Sequence, residues 1–189
     1  RNLFLNSATP SKDKDRWYVQ GTNLNEQYLG ADVYGTSNDW QGFKFKLATL
    51  INEGRIVEGE EYTFSQWFYF KSDNPNATVS LGIYSSVTGT YASTSFSSTT
   101  IGGITTLPVN KWVRASRTIK FANFETALIA NPNLRFEPYG YSDRSTSQVK
   151  YAAASLTKGN VSSDWTEAPE DTLAKITEIQ GNLEREKSA

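Results

Sequence analysis

Neither cysteine nor histidine occurs among the 189 residues. Without cysteine there is no disulfide framework and no thiolate chemistry. Without histidine the commonest general base and the commonest transition-metal ligand are gone. No run approaches the about 18 apolar residues of a membrane-spanning helix, so no membrane partner is expected. No secretory leader pattern is visible, and the chain starts at Arg1 without methionine, as a piece of something longer would. An excess of one charge sign is missing too. Nineteen Lys and Arg against 20 Asp and Glu leave a net charge of −1. Nucleic acid is therefore not an expected partner, because phosphate binding needs clustered positive charge.

Aromatic side chains, by contrast, are abundant. Five Trp, ten Tyr and ten Phe exceed what one core of this size needs, so some are expected on a surface. The length suits one domain with an appendage.

Strand signals dominate up to about residue 159. Asn2–Asn6 and Arg16–Gln20 read as short strands. Residues 22–39, rich in Asn, Gly, Asp and Tyr, read as long loops with room for one short strand. From Trp40 to Ile51 the chain alternates, with Phe43, Phe45 and Leu47 on one face and Lys44, Lys46 and Ala48 on the other, the period of a strand. Tyr62–Lys71 is the strongest strand: Phe64, Gln66, Phe68 and Phe70 share one face, Trp67 and Tyr69 the other. Thr78–Ser86, Trp112–Phe121, Asn133–Pro138 and Gln148–Thr157 follow, and the Ser/Thr/Gly-rich residues 85–106 read as hairpin strands and loops. About nine short strands separated by turn chemistry predict an all-β fold, a jelly-roll β-sandwich over residues 1–167.

The remainder, 168–189, reads as a short C-terminal α-helix, a tail or a connector to a neighbouring segment. Pro169 suits a first helical turn, and Glu170 and Asp171 suit its positive end. Leu173, Ile176, Gln180 and Leu183 form a heptad-like stripe with Ile179 beside it. So short a helix needs a partner. Either it lies on its own domain, or frays, or it joins copies of itself in an oligomeric stalk.

No catalytic residue is expected. A hydrolase lacking His and Cys would need paired carboxylates, and Glu58, Glu60 and Glu61 sit at a strand-opening turn as solvated charges. A saccharide site fits better, because sugar CH faces stack on Trp and Tyr while their hydroxyls pair with polar side chains. If the strands share a sheet, Trp67, Tyr69, Tyr84, Arg135 and Glu137 lie together on one outer face. The alternative is that Trp67 and Tyr69 pack under a loop or against the tail. Loop aromatics, Tyr28, Trp40, Tyr34, Tyr139 and Tyr141, form a second candidate surface. Asp32, Asn38 and Asp39 offer oxygen ligands for a structural calcium ion, or are simply solvated; no other cofactor is expected. Asn76 and Asn160 head Asn-X-Ser/Thr triplets, which are common by chance.

Three stretches together resemble a family. Asn2-Leu3-Phe4-Leu5-Asn6-Ser7 is similar to the NLLLNS opening of jelly-roll carbohydrate-binding modules of the family 4, 9 and 22 type. Tyr62-Thr63-Phe64-Ser65-Gln66-Trp67 is similar to their YTLSFW strand. Residues 155–171, with Lys158-Gly159-Asn160 and Asp164-Trp165-Thr166, resemble the KLEKGNKATDWTPAPED ending of such modules in tail and baseplate proteins of phages of Gram-positive bacteria. The chain also resembles the baseplate accessory protein type of lactococcal siphophages. The chain departs from the pattern at Thr157, where Glu is usual, and at Gln66, where an aromatic is usual. The resemblance implies a non-enzymatic module on the virion. It would bind host cell-wall saccharide on a concave sheet or at loop tips, and contact other tail or baseplate subunits. The alternative is a structural adaptor or spacer without a saccharide ligand; a glycan-active enzyme is the remote third reading.

Overall fold

The computed structural model describes residues 1–38, 41–79, 81–85, 107–130, 132–133, 135–140, 148–160 and 163–188. In chain order a 3-10 turn (Pro10–Lys12) precedes strands β1 (Trp17–Val19), β2 (Thr22–Tyr28), β3 (Ala31–Thr36) and β4 (Phe43–Lys46) and helix α1 (Leu47–Asn52). Strands β5 (Glu61–Lys71), β6 (Thr78–Val79), β7 (Leu81–Ser85), β8 (Leu107–Pro108) and β9 (Trp112–Lys120) follow. Helix α2 (Phe124–Ala130), strands β10 (Arg135–Gly140) and β11 (Gln148–Lys158) and helix α3 (Pro169–Ser188) complete the chain. Four strands pair in the order β1-β4-β10-β7 and five in the order β2-β3-β11-β5-β9; β6 and β8 form a small ribbon. The pairings are antiparallel, and the fold is the expected all-β sandwich with a C-terminal helix.

Alternation produces the core. Phe64, Phe68 and Phe70 of β5 point inward, as do Phe43 and Phe45 of β4 and Phe136 of β10, and all are buried. Aromatic pairs bridge the two sheets: Phe64 meets Phe136 edge-on at 4.9 Å between centroids, and Phe43 meets Tyr151 of β11 at 4.8 Å. Each fully buried ring stabilises the fold by about 1.5–3 kcal/mol relative to exposure. Tyr151 sits deep enough that desolvation raises its phenol well above the usual range, reinforced by Tyr34.

Three expectations are corrected. Residues 22–36 are a β-hairpin rather than loops. Leu29 and Gly30 both have positive φ (56° and 87°), the signature of a tight type I′ turn. β2 is a polar edge strand, exposed along most of its length, so no buried alternation marks it. Asn2–Asn6 is not a regular strand: Leu3 makes one backbone bond to Leu156 (2.7 Å), and Asn6 then turns with φ 59°. The strand beginning near residue 40 ends at Lys46, where α1 starts. Leu47, Ala48 and Leu50 are buried on its inner side, and the Thr49 hydroxyl donates to the Lys46 carbonyl. The hairpin reading of 86–106 lies outside the described residues.

The two ends of the domain clasp one another. Asn2, 1% exposed, donates from Nδ2 to Ser7 Oγ (3.2 Å), the Ala154 carbonyl (3.2 Å) and the Thr166 carbonyl (3.0 Å), and its Oδ1 accepts from the amides of Phe4 (3.0 Å) and Leu156 (3.1 Å). Trp165 Nε1 also donates to Ala154 O (3.1 Å) and Ser7 Oγ (3.3 Å). The opening and closing motifs are thus one hydrogen-bonded unit. The first turn of α3 belongs to it: Asp171 accepts from the Asn6 amide at 2.6 Å, and Glu170 lies 2.5 Å from Arg55. Beyond that turn no residue of α3 is buried.

Candidate functional site

The outer face of the five-stranded sheet gathers aromatics. On β5 the odd-numbered positions face away from the core, and the register places Trp67 opposite Arg114 and Tyr69 opposite Trp112 of β9. On the other flank Trp67 faces Ala152 and Tyr69 faces Lys150 of β11. Tyr28, at the end of β2, reaches over the same face. Its ring stacks on Trp112 at 4.2 Å and 14° and tilts against Trp67 at 5.2 Å, while Tyr69 meets Trp112 edge-on at 5.8 Å. All four rings are half-buried. Small residues beneath them, Ala31, Val33, Ala152 and Ala153, are buried and leave room for the rings to lie flat.

A β-bulge shapes this face. One extra residue in β11 between Ala152 and Ser155 shifts the register against β5, and Ala153 takes φ 57°. The bulge keeps both Ala152 and Ser155 on the outer side, opposite Trp67 and Ser65.

Polar groups rim the rings. Lys150 Nζ sits 5.5 Å from the Tyr69 centroid and 2.9 Å from Glu26. Arg114 Nη1 lies 3.9 Å from Asp164. Trp67 Nε1 and Arg114 Nε and Nη2 are buried with no protein partner among the described residues. The arrangement can stack a flat apolar ring and pair with hydroxyls around it.

The sequence-predicted residues divide between two faces. Trp67, Tyr69 and Tyr28 come together as described, and Tyr28 is a strand residue rather than a loop one. Arg135 and Glu137 do not join them: β10 pairs with β4 and β7, so both lie on the outer face of the other sheet. There Arg135 sits 4.5 Å from the Tyr18 ring and Glu137 3.8 Å from Lys44 Nζ. Tyr84 is opposite Glu137 in the register and so is also on the four-stranded sheet. The expected single outer face of five residues is therefore two faces. Strand parity tells which side a residue takes but not which sheet. Trp40, Tyr141 and Asp39 lie outside the described residues. Trp112, Arg114 and Lys150 were missed because only the register reveals them. Tyr34 is a core residue.

Of the calcium candidates, Asp32 accepts from Gln27 Nε2 at 3.3 Å and the Asn38 amide donates to Thr36 Oγ1, while Asp39 lies outside the described residues. Among the described residues no group of three His, Cys, Asp or Glu could hold a metal ion. Glu58 accepts from the Phe124 amide at 2.7 Å and Glu60 pairs with Lys158 at 3.1 Å; these are structural roles. No described helix is long and apolar enough to cross a membrane.

No family model matches the sequence, and no curated protein does. Solved structures do share the fold. The CBM22-2 xylan-binding domain from Paenibacillus barcinonensis Xyn10C superposes with a TM-score of 0.51 at 12% identity, over 81% of this chain and 98% of that one. The CBM22-1 xylan-binding domain of the same protein gives 0.50 at 11% identity, over 79% and 89%. A looser superposition, TM-score 0.48 at 16% identity over 90% and 59%, is with the tripod from the baseplate of bacteriophage Tuc2009. The chain has the jelly-roll fold of carbohydrate-binding modules.

Proposed function

We propose that the chain is a non-catalytic saccharide-binding module whose ligand lies on the aromatic face of the five-stranded sheet. The observation that carries this reading is the cluster of Tyr28, Trp67, Tyr69 and Trp112, half-buried on a sheet face turned away from the core. Soluble domains leave such aromatic patches open where something binds. Buried unpaired donors at Trp67 and Arg114 carry a desolvation cost that a sugar hydroxyl relieves.

The finer reading is adhesion of a phage tail or baseplate to cell-wall polysaccharide of its host. It rests on residues 155–171 and their likeness to the closing segment of phage tail modules. An array of bacterial cell-wall polysaccharides, probed with the whole chain, tests it. Retention on at least one polysaccharide is expected; an array blank throughout overturns the reading.

A structural connector is the second reading, favoured by α3. Leu173, Ile176, Ile179 and Leu183 are 47–64% exposed along one helix, and a lone helix with that stripe is marginal in water. Sedimentation of the chain with and without residues 172–189 separates the readings: a connector self-associates only with the helix present.

A further inference from the structure

The opposite face of the sandwich carries a cleft that the aromatic site does not use. Its volume is about 390 Å³, and Ser11, Lys14, Arg16, Tyr18, Lys44, Lys46 and Arg135 are among the residues lining it. We propose that this cleft is a second binding site, for a phosphate or carboxylate group carried on a sugar. The anion site stands independently of the aromatic face; only the choice of a sugar as carrier rests on the proposed function.

The register builds the cleft. Tyr18 of β1 lies opposite Lys44 of β4, and Lys46 of β4 lies opposite Arg135 of β10. Two like charges directly opposite each other on one sheet face destabilise the pairing. Nothing in the fold requires a cation at both positions, since neither contributes to the core.

Charge compensation is incomplete. Arg16 pairs with Asp13 at 3.1 Å and Glu53 at 3.2 Å, and Lys44 lies 3.8 Å from Glu137. Lys14, Lys46 and Arg135 have no carboxylate within ion-pair distance among the described residues. Five cations thus meet three carboxylates, an excess of two positive charges in a chain whose net charge is −1. A cleft with one sign of excess charge concentrates ligands of the other.

The walls supply more than charge. The Arg135 guanidinium sits 4.5 Å from the Tyr18 ring, which holds its planar fork in place for a bidentate oxyanion. Tyr18 is 48% exposed and offers a ring face for a sugar to stack on. The Ser11 hydroxyl, which accepts from Tyr34, adds a polar group. The volume falls within the about 300–1,000 Å³ of small-molecule sites. That fits one or two sugar rings, whereas a nucleic acid would need a longer basic track.

Backbone amide shifts of the whole chain, followed during titration with glucose 6-phosphate, glucuronate, glucose and a short oligothymidylate, test the proposal. Both anionic sugars should move amides of residues 17–19, 44–46 and 135–136, glucose should not, and added salt should weaken the effect. Lys46→Gln should weaken anionic-sugar binding roughly tenfold, the order expected for one charge-assisted contact, while the melting temperature holds or rises as the like-charge pair disappears. A purely structural lysine gives the reverse: a lower melting temperature and unchanged binding. Glucose 6-phosphate alone would identify phosphate as the group, glucuronate alone carboxylate. Equal response to glucose, tighter binding of the oligothymidylate, or shifts confined to residues 28, 67–69 and 112 would overturn the proposal. The last outcome would leave the aromatic face standing; a blank polysaccharide array with the expected shifts at β1 and β4 would do the opposite.

Discussion

Asn2→Ala removes a side chain that holds three segments together. Its two amide hydrogens serve the carbonyls of Ala154 and Thr166 and the Ser7 hydroxyl, and its Oδ1 accepts from the amides of Phe4 and Leu156. After truncation Ala154 O keeps its bond from Trp165 Nε1. The Phe4 and Leu156 amides keep nothing comparable, and both residues are buried. An orphaned buried group costs about 1–3 kcal/mol, so two of them, with partial loss at Thr166, give a destabilisation of about 3–5 kcal/mol. Against a typical domain stability of about 5–15 kcal/mol the loss is severe. Urea unfolding followed by tryptophan fluorescence measures it as a fall in midpoint at constant slope. Trp165→Phe, which removes Nε1–H and part of the indole ring packed against the small residues of the outer cluster, should cost about 1–3 kcal/mol. The double variant should be non-additive, because the two side chains share Ser7 and Ala154. A loss below about 1 kcal/mol for Asn2→Ala would refute the clasp as the closure of the fold.

Gln66 is fully buried between Phe64 and Phe68, and neither polar atom of its side chain has a protein partner among the described residues; Gln66→Leu should stabilise by about 1–2 kcal/mol in the same urea assay. Leu29 occupies a left-handed position with its side chain in solvent, so Leu29→Asn should raise stability by about 0.5–1 kcal/mol, read by thermal melting. Glu170 is held below its ordinary value of 4.5: partial desolvation pushes it up, but the Arg55 hydrogen bond, its own backbone bond and the charges of Arg55 and Arg1 outweigh that. A depressed carboxylate stabilises above its ordinary value, and the gain is lost as pH falls through the lowered one. Asp171 has the opposite sign, desolvation raising it. The melting-temperature gap between the chain and Arg55→Gln should therefore be full above pH 4.5 and close below it; a gap independent of pH would count against the Glu170–Arg55 pair.

The sequence reveals most where one face of an element is buried. Phe64, Phe68 and Phe70 mark β5, and Phe43 and Phe45 mark β4, because alternation reports burial directly. The Pro169 start of α3 is legible from its cap chemistry. The β2–β3 hairpin is hidden because its edge strand is polar and its turn carries Leu29-Gly30 instead of Asn-Gly. The change from strand to helix at Leu47 is hidden because Leu47, Ala48 and Leu50 satisfy either pattern over so short a run. The site was half legible for a related reason. Trp67 and Tyr69 are visible as a pair on one strand face. Trp112 enters through the β5–β9 register. Tyr28, read as a loop aromatic, enters through ring contacts made from the end of β2. Arg135 and Glu137 leave through sheet membership, which no local pattern encodes.

The proposed saccharide site is the ring cluster of the five-stranded sheet. Its most direct test is the affinity of the chain and of Trp112→Ala for a polysaccharide the chain retains, measured by calorimetry. Trp112 contacts both Tyr28 and Tyr69 but lies outside the main core, so the variant should stay folded by circular dichroism. Stacking of the order of 1.5 kcal/mol predicts roughly tenfold weaker binding. Unchanged affinity in a folded Trp112→Ala chain would contradict the account.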